Sequence, residues 1–304
     1  MTKLGVGLAA LGRPAYINLG RADALPAHRT VDEMRAASWA VLDAAYAAGI
    51  RWVDVARSYG LAEEFLAGWL NNHADVTVSS KWGYAYVGDW RLDAEVHEVK
   101  EHTRHRFRAQ LARSRELLGD RLALYQVHSL TVDSPLFTDD ALLADLAASG
   151  LRTGFSTSGP AQADTIRQAL ALTVHGKRVF TAVQSTWNPL ETSVGPALAE
   201  AHRDGVHVLV KEALANGRLA VQPPRKVTEL AAGHDVGPDA IALAAAAAQP
   251  WADTVLVGPA SVPQLRANLR AQDVNLTTTE LDELRKLAQP PGEYWAQRAT
   301  LPWN

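Results

Sequence analysis

Eight times along this chain, a short strand-like run gives way to a longer stretch with helical periodicity. The strand-like runs are LGVGLA from Leu4, IRWVDVA from Ile50, DVTVSSKWG from Asp75, LALYQVHS from Leu122, RTGFSTS from Arg152, RVFTAVQST from Arg178, VHVLVKEA from Val206 and DTVLVG from Asp253. The stretches between them carry helix punctuation. Thr30, with Glu33 three residues on, makes a capping-box pattern, and Gly49 ends that helix. EVHEVKEHTRHRFRAQLARSRELLG, from Glu95 to Gly119, is expected to be one long amphipathic helix. Strands alternating with helices imply parallel, right-handed crossovers. Eight such units in 304 residues predict an α/β fold, a closed (β/α)8 TIM barrel of parallel strands, as one domain over residues 1–304. TTTELDELRKLAQ, from Thr277, predicts an extra C-terminal helix. PPGEYWAQRATLPWN, from Pro290, lacks periodicity and is expected to fold back as a tail over the barrel mouth.

The bulk numbers exclude several classes of function. Apolar residues make up 47% of the chain, ample for a buried core, and the net charge of −3 gives no footprint for nucleic acid or anionic lipid. With no cysteine there is no disulfide framework, thiol nucleophile or cysteine zinc site. The longest apolar run, AIALAAAAA from Ala240, falls far short of the roughly 20 residues that span a bilayer. Gly5, Gly7, Gly12 and the Arg13-Pro14 pair argue for a first core strand rather than a secretory signal. A cytoplasmic protein is expected, monomeric or weakly homo-oligomeric, with no nucleic-acid or membrane partner.

In such barrels chemistry collects at the C-terminal ends of the strands. Asp54 ends the second strand, Lys81 the third, His128 the fourth, Ser156 and Thr157 the fifth and Gln184 the sixth, with Tyr59 in the loop after the second. A carboxylate inside an apolar run is costly unless a cation or several donors meet it. Lys81, one strand over, is the natural partner for Asp54. A phenol is a poor acid at neutral pH, and a nearby ammonium is expected to lower its pKa. An imidazole beside that phenol could orient a carbonyl oxygen. Asp54, Tyr59, Lys81 and His128 therefore form a proton donor aimed at a developing alkoxide. Each of the four alone has an ordinary structural reading, the Asp–Lys pair above all; four at adjacent strand ends argue for chemistry.

DVARSYGLAEEFLAGWL, SSKWG, YQVHS, GFSTS, QSTWN and VGPASVPQLRANL occur in that order, and over nearly its whole length the chain resembles the aldo-keto reductase family. The resemblance implies a metal-free oxidoreductase that reduces the carbonyl of a small-molecule aldehyde or ketone by hydride transfer from a nicotinamide. It makes Tyr59 the general acid, tuned by Lys81 and Asp54, with His128 positioning the carbonyl. It places the nicotinamide carboxamide near Ser156, Thr157 and Gln184. The pyrophosphate is placed along Ala213, Leu214, Asn216, Gly217 and Arg218, and the adenosine phosphate near Gly258, Ser261, Gln264 and Asn268. NADPH is implied, and NADH stays open, because the positions near Gly258 and Gln264 that are often basic in relatives are neutral here. Lys211-Glu212 stands where relatives commonly carry an aromatic that stacks on the nicotinamide. Lys211 is expected to line the cofactor site, paired with Glu212, and to favour the reduced cofactor; the alternative is a peripheral ion pair. A non-catalytic nicotinamide-binding regulatory or interaction protein on the same fold is the other reading of the whole chain, and a carboxylate-based barrel hydrolase is a weaker third.

Trp82 directly follows Lys81 and is expected to face the mouth, joining Tyr86, Trp90 and Trp295 in an aromatic substrate wall. Trp187 either joins that wall or packs. Trp39 and Trp69 sit on helix patterns and are expected to pack. Glu98, Glu101, His102 and His105 share helical spacing, yet a charge-rich face of this kind is usually solvated rather than a metal site. GVGLAA matches a dinucleotide fingerprint at the first strand, but Gly12 and Pro14 break the helix that this motif needs.

Overall fold

The computed structural model describes residues 3–304, so Met1 and Thr2 of the expected domain lie outside the described residues. Eight strands close into one parallel barrel: β1 (Lys3–Gly7), β2 (Trp52–Asp54), β3 (Thr77–Trp82), β4 (Leu122–Leu130), β5 (Arg152–Thr157), β6 (Ala182–Thr186), β7 (His207–Lys211) and β8 (Thr254–Val257). Neighbours in sequence are neighbours in the ring, and β8 pairs with β1, Lys3 facing Thr254 and Val6 facing Val257. Six crossover helices follow the first six strands: α1 (Val31–Ala47), α2 (Ala62–Leu70), α3 (Arg104–Leu118), α4 (Asp140–Ala147), α5 (Gln162–Leu170) and α6 (Gly195–Arg203). After β7 come α7 (Arg218–Val221), α8 (Arg225–Gly233) and α9 (Pro238–Ala247), and after β8 come α10 (Val262–Leu269), α11 (Thr278–Arg285) and α12 (Pro291–Ala299). The capping box at Thr30 forms as the sequence implies, with the Glu33 amide donating to Thr30 Oγ1 at 3.2 Å.

Strand periodicity sorts the side chains. Asp54 on β2 accepts hydrogen bonds from Gln126 on β4 and Gln184 on β6, which only a face turned into the bore permits. Two residues earlier on the same strands, Trp52, Leu124 and Ala182 must share that face. They join Leu209 and Leu256 in a small apolar plug inside the barrel. The larger core lies between strands and helices, including all of Ile241, Leu243 and their alanine neighbours on α9.

Two segments differ from the sequence reading. The expected helix from Glu95 begins only at Arg104, because Thr103 is extended (φ −107°, ψ 153°) and its hydroxyl accepts from the Arg106 amide. Upstream, Glu98–Lys100 pairs antiparallel with Tyr84–Tyr86, so the segment after β3 is a hairpin. Glu98 and His102 therefore lie on no common helix face. The tail from Pro290 is not irregular: Pro291–Ala299 is helical, with Tyr294 and Trp295 buried, and Leu301–Asn304 then returns to the mouth, where Tyr16 and Asn304 exchange backbone hydrogen bonds. No described helix is long and apolar enough to cross a membrane.

Candidate active site

The cost of burying Asp54 is met by four donors. Lys81 Nζ bonds its Oδ2, while Ser79 Oγ (2.6 Å), Gln184 Nε2 (3.1 Å) and Gln126 Nε2 (3.3 Å) converge on Oδ1. Lys81 Nζ also donates to the Val55 carbonyl at 3.1 Å. Both side chains are buried, so the pair is a fixed dipole rather than a mobile surface contact.

Tyr59 reaches this pair from the turn after β2. Its ring centroid lies 5.0 Å from Lys81 Nζ and 5.5 Å from the His128 ring, edge to face. The turn needs Gly60, whose φ is +61° and where a Cβ would collide with the Gly12 carbonyl. Burial, followed by the Asp54 carboxylate, pushes the Tyr59 phenol well above its usual pKa, against the opposing pull of Arg13. The direction is the reverse of the one expected from Lys81. The ammonium is committed to Asp54 and a carbonyl, so its field at the phenol is largely cancelled, and Tyr59 keeps its proton as a donor. His128 is held well below the usual imidazole value, first by burial and then by Lys81, Lys211 and Arg13, so its ring is neutral. Its Nδ1 faces Ser58 Oγ at 3.2 Å, and a hydroxyl proton given to Nδ1 leaves Nε2–H as the second neutral donor.

These groups open onto a cleft of about 400 Å³ at the C-terminal ends of the strands. Asp54, Tyr59, His128 and Gln184 line it, as do Lys211, Ala213, Leu214, Asn216, Gly217 and Gly258 from the loops after β7 and β8. A barrel commonly holds phosphate between those two loops. Gly217 sits at φ +88°, where a Cβ would collide with the Leu19 carbonyl, and the Leu19 amide donates to the Asn216 carbonyl at 2.9 Å, so the arm that carries Asn216 is folded tightly against the first loop. Lys211 is not peripheral: it lines the cleft, donates to Thr186 Oγ1 at 2.8 Å and lies 3.6 Å from Glu212. Glu212 itself, at φ +54°, is gripped by Arg298 of α12.

Other expected residues are elsewhere. Ser156 Oγ accepts from the Ser129 amide and Thr157 Oγ1 bonds Gln162 and Ser185; neither residue lines the cleft, whereas Ser129 and Ser158 do. Arg218 turns away to Gln289 and Gln297. Ser261 caps α10, Gln264 bonds the Ala260 amide and the Gly20 carbonyl, and Asn268 is buried on Asp239; none of them lines the cleft. The expected aromatic wall is absent from it too. Trp82 is fully buried against Phe107, because the residue after an inward-facing Lys81 must point outward into the helix layer. Tyr86 and Trp90 bond each other beyond the mouth, Trp187 packs on Trp251, and Trp295 packs under Arg298.

The wall is instead built by Tyr16, Tyr84 and Trp303, with Arg13, Glu98 and Arg298 as its charges. Arg13 is buried, donating to the Ser58 carbonyl (2.9 Å) and to Glu98 (2.7 Å), with its guanidinium 4.9 Å from both the Tyr16 and Trp303 rings. Sequence reasoning missed these residues because three distant loops bring them together. Tyr84, three positions past Lys81, and Trp303, in the tail expected over the mouth, carried a signal.

The Aldo/keto reductase family model matches residues 3–289. The chain is 25% identical over 321 residues to aldo-keto reductase str7 of Strobilurus tenacellus, covering 93% of this chain and 87% of that protein. The holo form of aldo-keto reductase AKR11C1 from Bacillus halodurans superposes with a TM-score of 0.68 at 21% identity, over 95% of this chain and 92% of that one. The Pseudomonas aeruginosa protein PA4992 does so with a TM-score of 0.62 at 23% identity, over 87% of each chain. By the span of that family match, together with the closed parallel barrel, this chain belongs to the aldo/keto reductase family.

Proposed function

We propose that the protein is an NADPH-dependent reductase of aldehyde or ketone carbonyls, with Tyr59 as proton donor. The observation that carries the reading is the convergence of Tyr59, His128 and the Asp54–Lys81 pair on one cleft. Bound nicotinamide would supply the hydride. The chain's own residues do the rest. The Tyr59 hydroxyl and the neutral His128 ring point two uncharged donors at the oxygen where negative charge develops. As the phenol gives up its proton, Arg13, whose guanidinium lies 5.4 Å from its ring centroid, stabilises the phenolate, while Lys81 holds Asp54 in place beside it. Gln184 and Ser158 supply amide and hydroxyl groups for the carboxamide, and Ala213–Gly217 with Gly258 a cradle for the pyrophosphate.

The test is a panel of aldehydes and ketones followed at the absorbance of reduced nicotinamide, with NADPH and NADH run side by side. Turnover of reactive aldehydes, at a lower KM for NADPH, is expected. Tight cofactor binding with no turnover of any carbonyl would contradict the reading and favour a binding protein. Equal KM values would remove the NADPH preference.

A further inference from the structure

Beside the cleft lies a second, shallower groove of about 420 Å³, floored by the segment 92–98. Tyr84, Glu98 and Trp303 line both spaces, so the two adjoin across these three side chains. The Trp303 ring is fixed on both faces of its environment: it stacks on His97 at 4.3 Å and 11°, and the Arg13 guanidinium sits 4.9 Å from its centroid. The groove's rim is unusually apolar for a surface. Of the eight large apolar residues exposed among those described, Val87, Leu92, Val96 and Val99 all lie on the hairpin segment after β3. Leu92 and Val96, exposed by 50% and 54%, face into the groove itself. Val87 and Val99 alternate with Tyr86 and Glu98 and so lie on the hairpin's other face, leaving Leu92 and Val96 as the groove's own exposed apolar pair, the kind of exposed apolar surface that marks a binding site. The charged lining is acidic: Asp93, Glu95 and Glu98, of which Asp93 is met by Arg91 and Glu98 by Arg13.

We propose that this groove is a distal substrate subsite, taking the uncharged or cationic apolar arm of a carbonyl compound whose C=O lies at Tyr59. The inference rests on the carbonyl-reduction reading and adds the class of carbonyl. Adjacency to the cleft argues for a substrate's own arm as the occupant, since the side chains that border the Tyr59 site, Tyr84, Glu98 and Trp303, also border the groove. The carboxylates argue against an anionic terminus.

The test is kcat/KM over unbranched aldehydes from propanal to decanal, with ω-carboxy aldehydes of matched length, in wild type and in the double variant Leu92→Ser, Val96→Ser. Both substitutions are at exposed positions and leave the core intact. Once the arm reaches beyond Trp303, each added methylene is expected to raise kcat/KM about fourfold, as burial of a methylene implies. The variant is expected to lose that slope while turning over propanal within about twofold of wild type. The ω-carboxylates are expected to fall at least tenfold below their neutral partners. Turnover with a flat length series, an unchanged slope in the variant, or equal rates for the carboxylates would overturn the subsite. A flat series together with a wild-type dimer that the variant splits would assign the patch to a second copy and also overturn it. No turnover at any length would overturn the carbonyl reading along with it.

Discussion

At the scale of single residues, the site is a set of charges held in place by pairing. Asp54 is tolerable because Lys81, Ser79, Gln126 and Gln184 meet it. Lys211 is less fully paired. Burial lowers its ammonium to about 8, against the upward pull of Glu212, while Arg298 and Lys81 add to the lowering. With the nicotinamide proposed to sit in this cleft, a protonated Lys211 would repel its cationic, oxidised form, and deprotonation through about pH 8 would relieve that repulsion. The dissociation constant of the oxidised cofactor is therefore expected to tighten between pH 7 and 9, while that of the reduced form stays level. In Lys211→Met the oxidised form should bind about tenfold tighter at pH 7, a charge term of ~1.4 kcal/mol, and its pH dependence should flatten. Fluorescence titration of both cofactor forms checks this, and an unchanged ratio would refute it. The four strand-end residues were legible in the sequence because short, fixed spacings carry them. Arg13 and Glu98 were not, since nothing local in Gly12-Arg13-Pro14 or around Glu98 tells where a loop will land; Trp303 was legible only as part of a tail over the mouth, not as a wall of the cleft.

At the scale of elements, α12 shows how a segment without visible periodicity gains a function. Its Arg298 bonds Glu212 beside the cleft, and Glu212 also accepts from Thr186. Burial would raise the Glu212 carboxyl, but Arg298 and then Lys211 outweigh it and hold it at about 2, below its ordinary 4.5. A carboxylate depressed in the folded state stabilises above its unfolded pKa and loses that contribution as pH falls through the folded one. The grip on α12 is thus complete above about pH 4.5 and fades toward pH 2. Arg298→Met should cost about 3 kcal/mol near neutrality, the range for breaking a buried pair, and should flatten the fall of Tm between pH 5 and 3. Thermal melts of both proteins across that range check it; parallel curves would contradict it. Strand and helix order was readable because periods of 2 and 3.6 differ sharply over ten residues. The hairpin at 84–100 was not, because its charged, alternating sequence suits an exposed helix face equally well.

At the scale of the whole molecule, the ring closes by pairing β1 with β8, but the mouth is closed by the chain's loops and last residues. Arg21 is the buried link. It donates to the carbonyls of Ala10, Arg13 and Pro14 and to the main-chain oxygen of Asn304. Burial lowers its pKa to about 9, yet it stays charged at neutral pH. Arg21→Met leaves those acceptors without their donor and should cost about 3 kcal/mol, lowering Tm by roughly 2–4 °C per kcal/mol. An unchanged Tm would show the link to be dispensable. Barrel and strand-end chemistry both follow from the sequence pattern, whereas the cleft's second wall depends on contacts spanning hundreds of residues. The central claim, that Tyr59 supplies the proton within this cleft, is tested most directly by single-turnover oxidation of bound NADPH by a reactive aldehyde in wild type and Tyr59→Phe. The account predicts a rate loss of about 10²-fold or more, with the NADPH dissociation constant unchanged within about twofold; a Phe variant keeping more than about a tenth of the wild-type rate would contradict it.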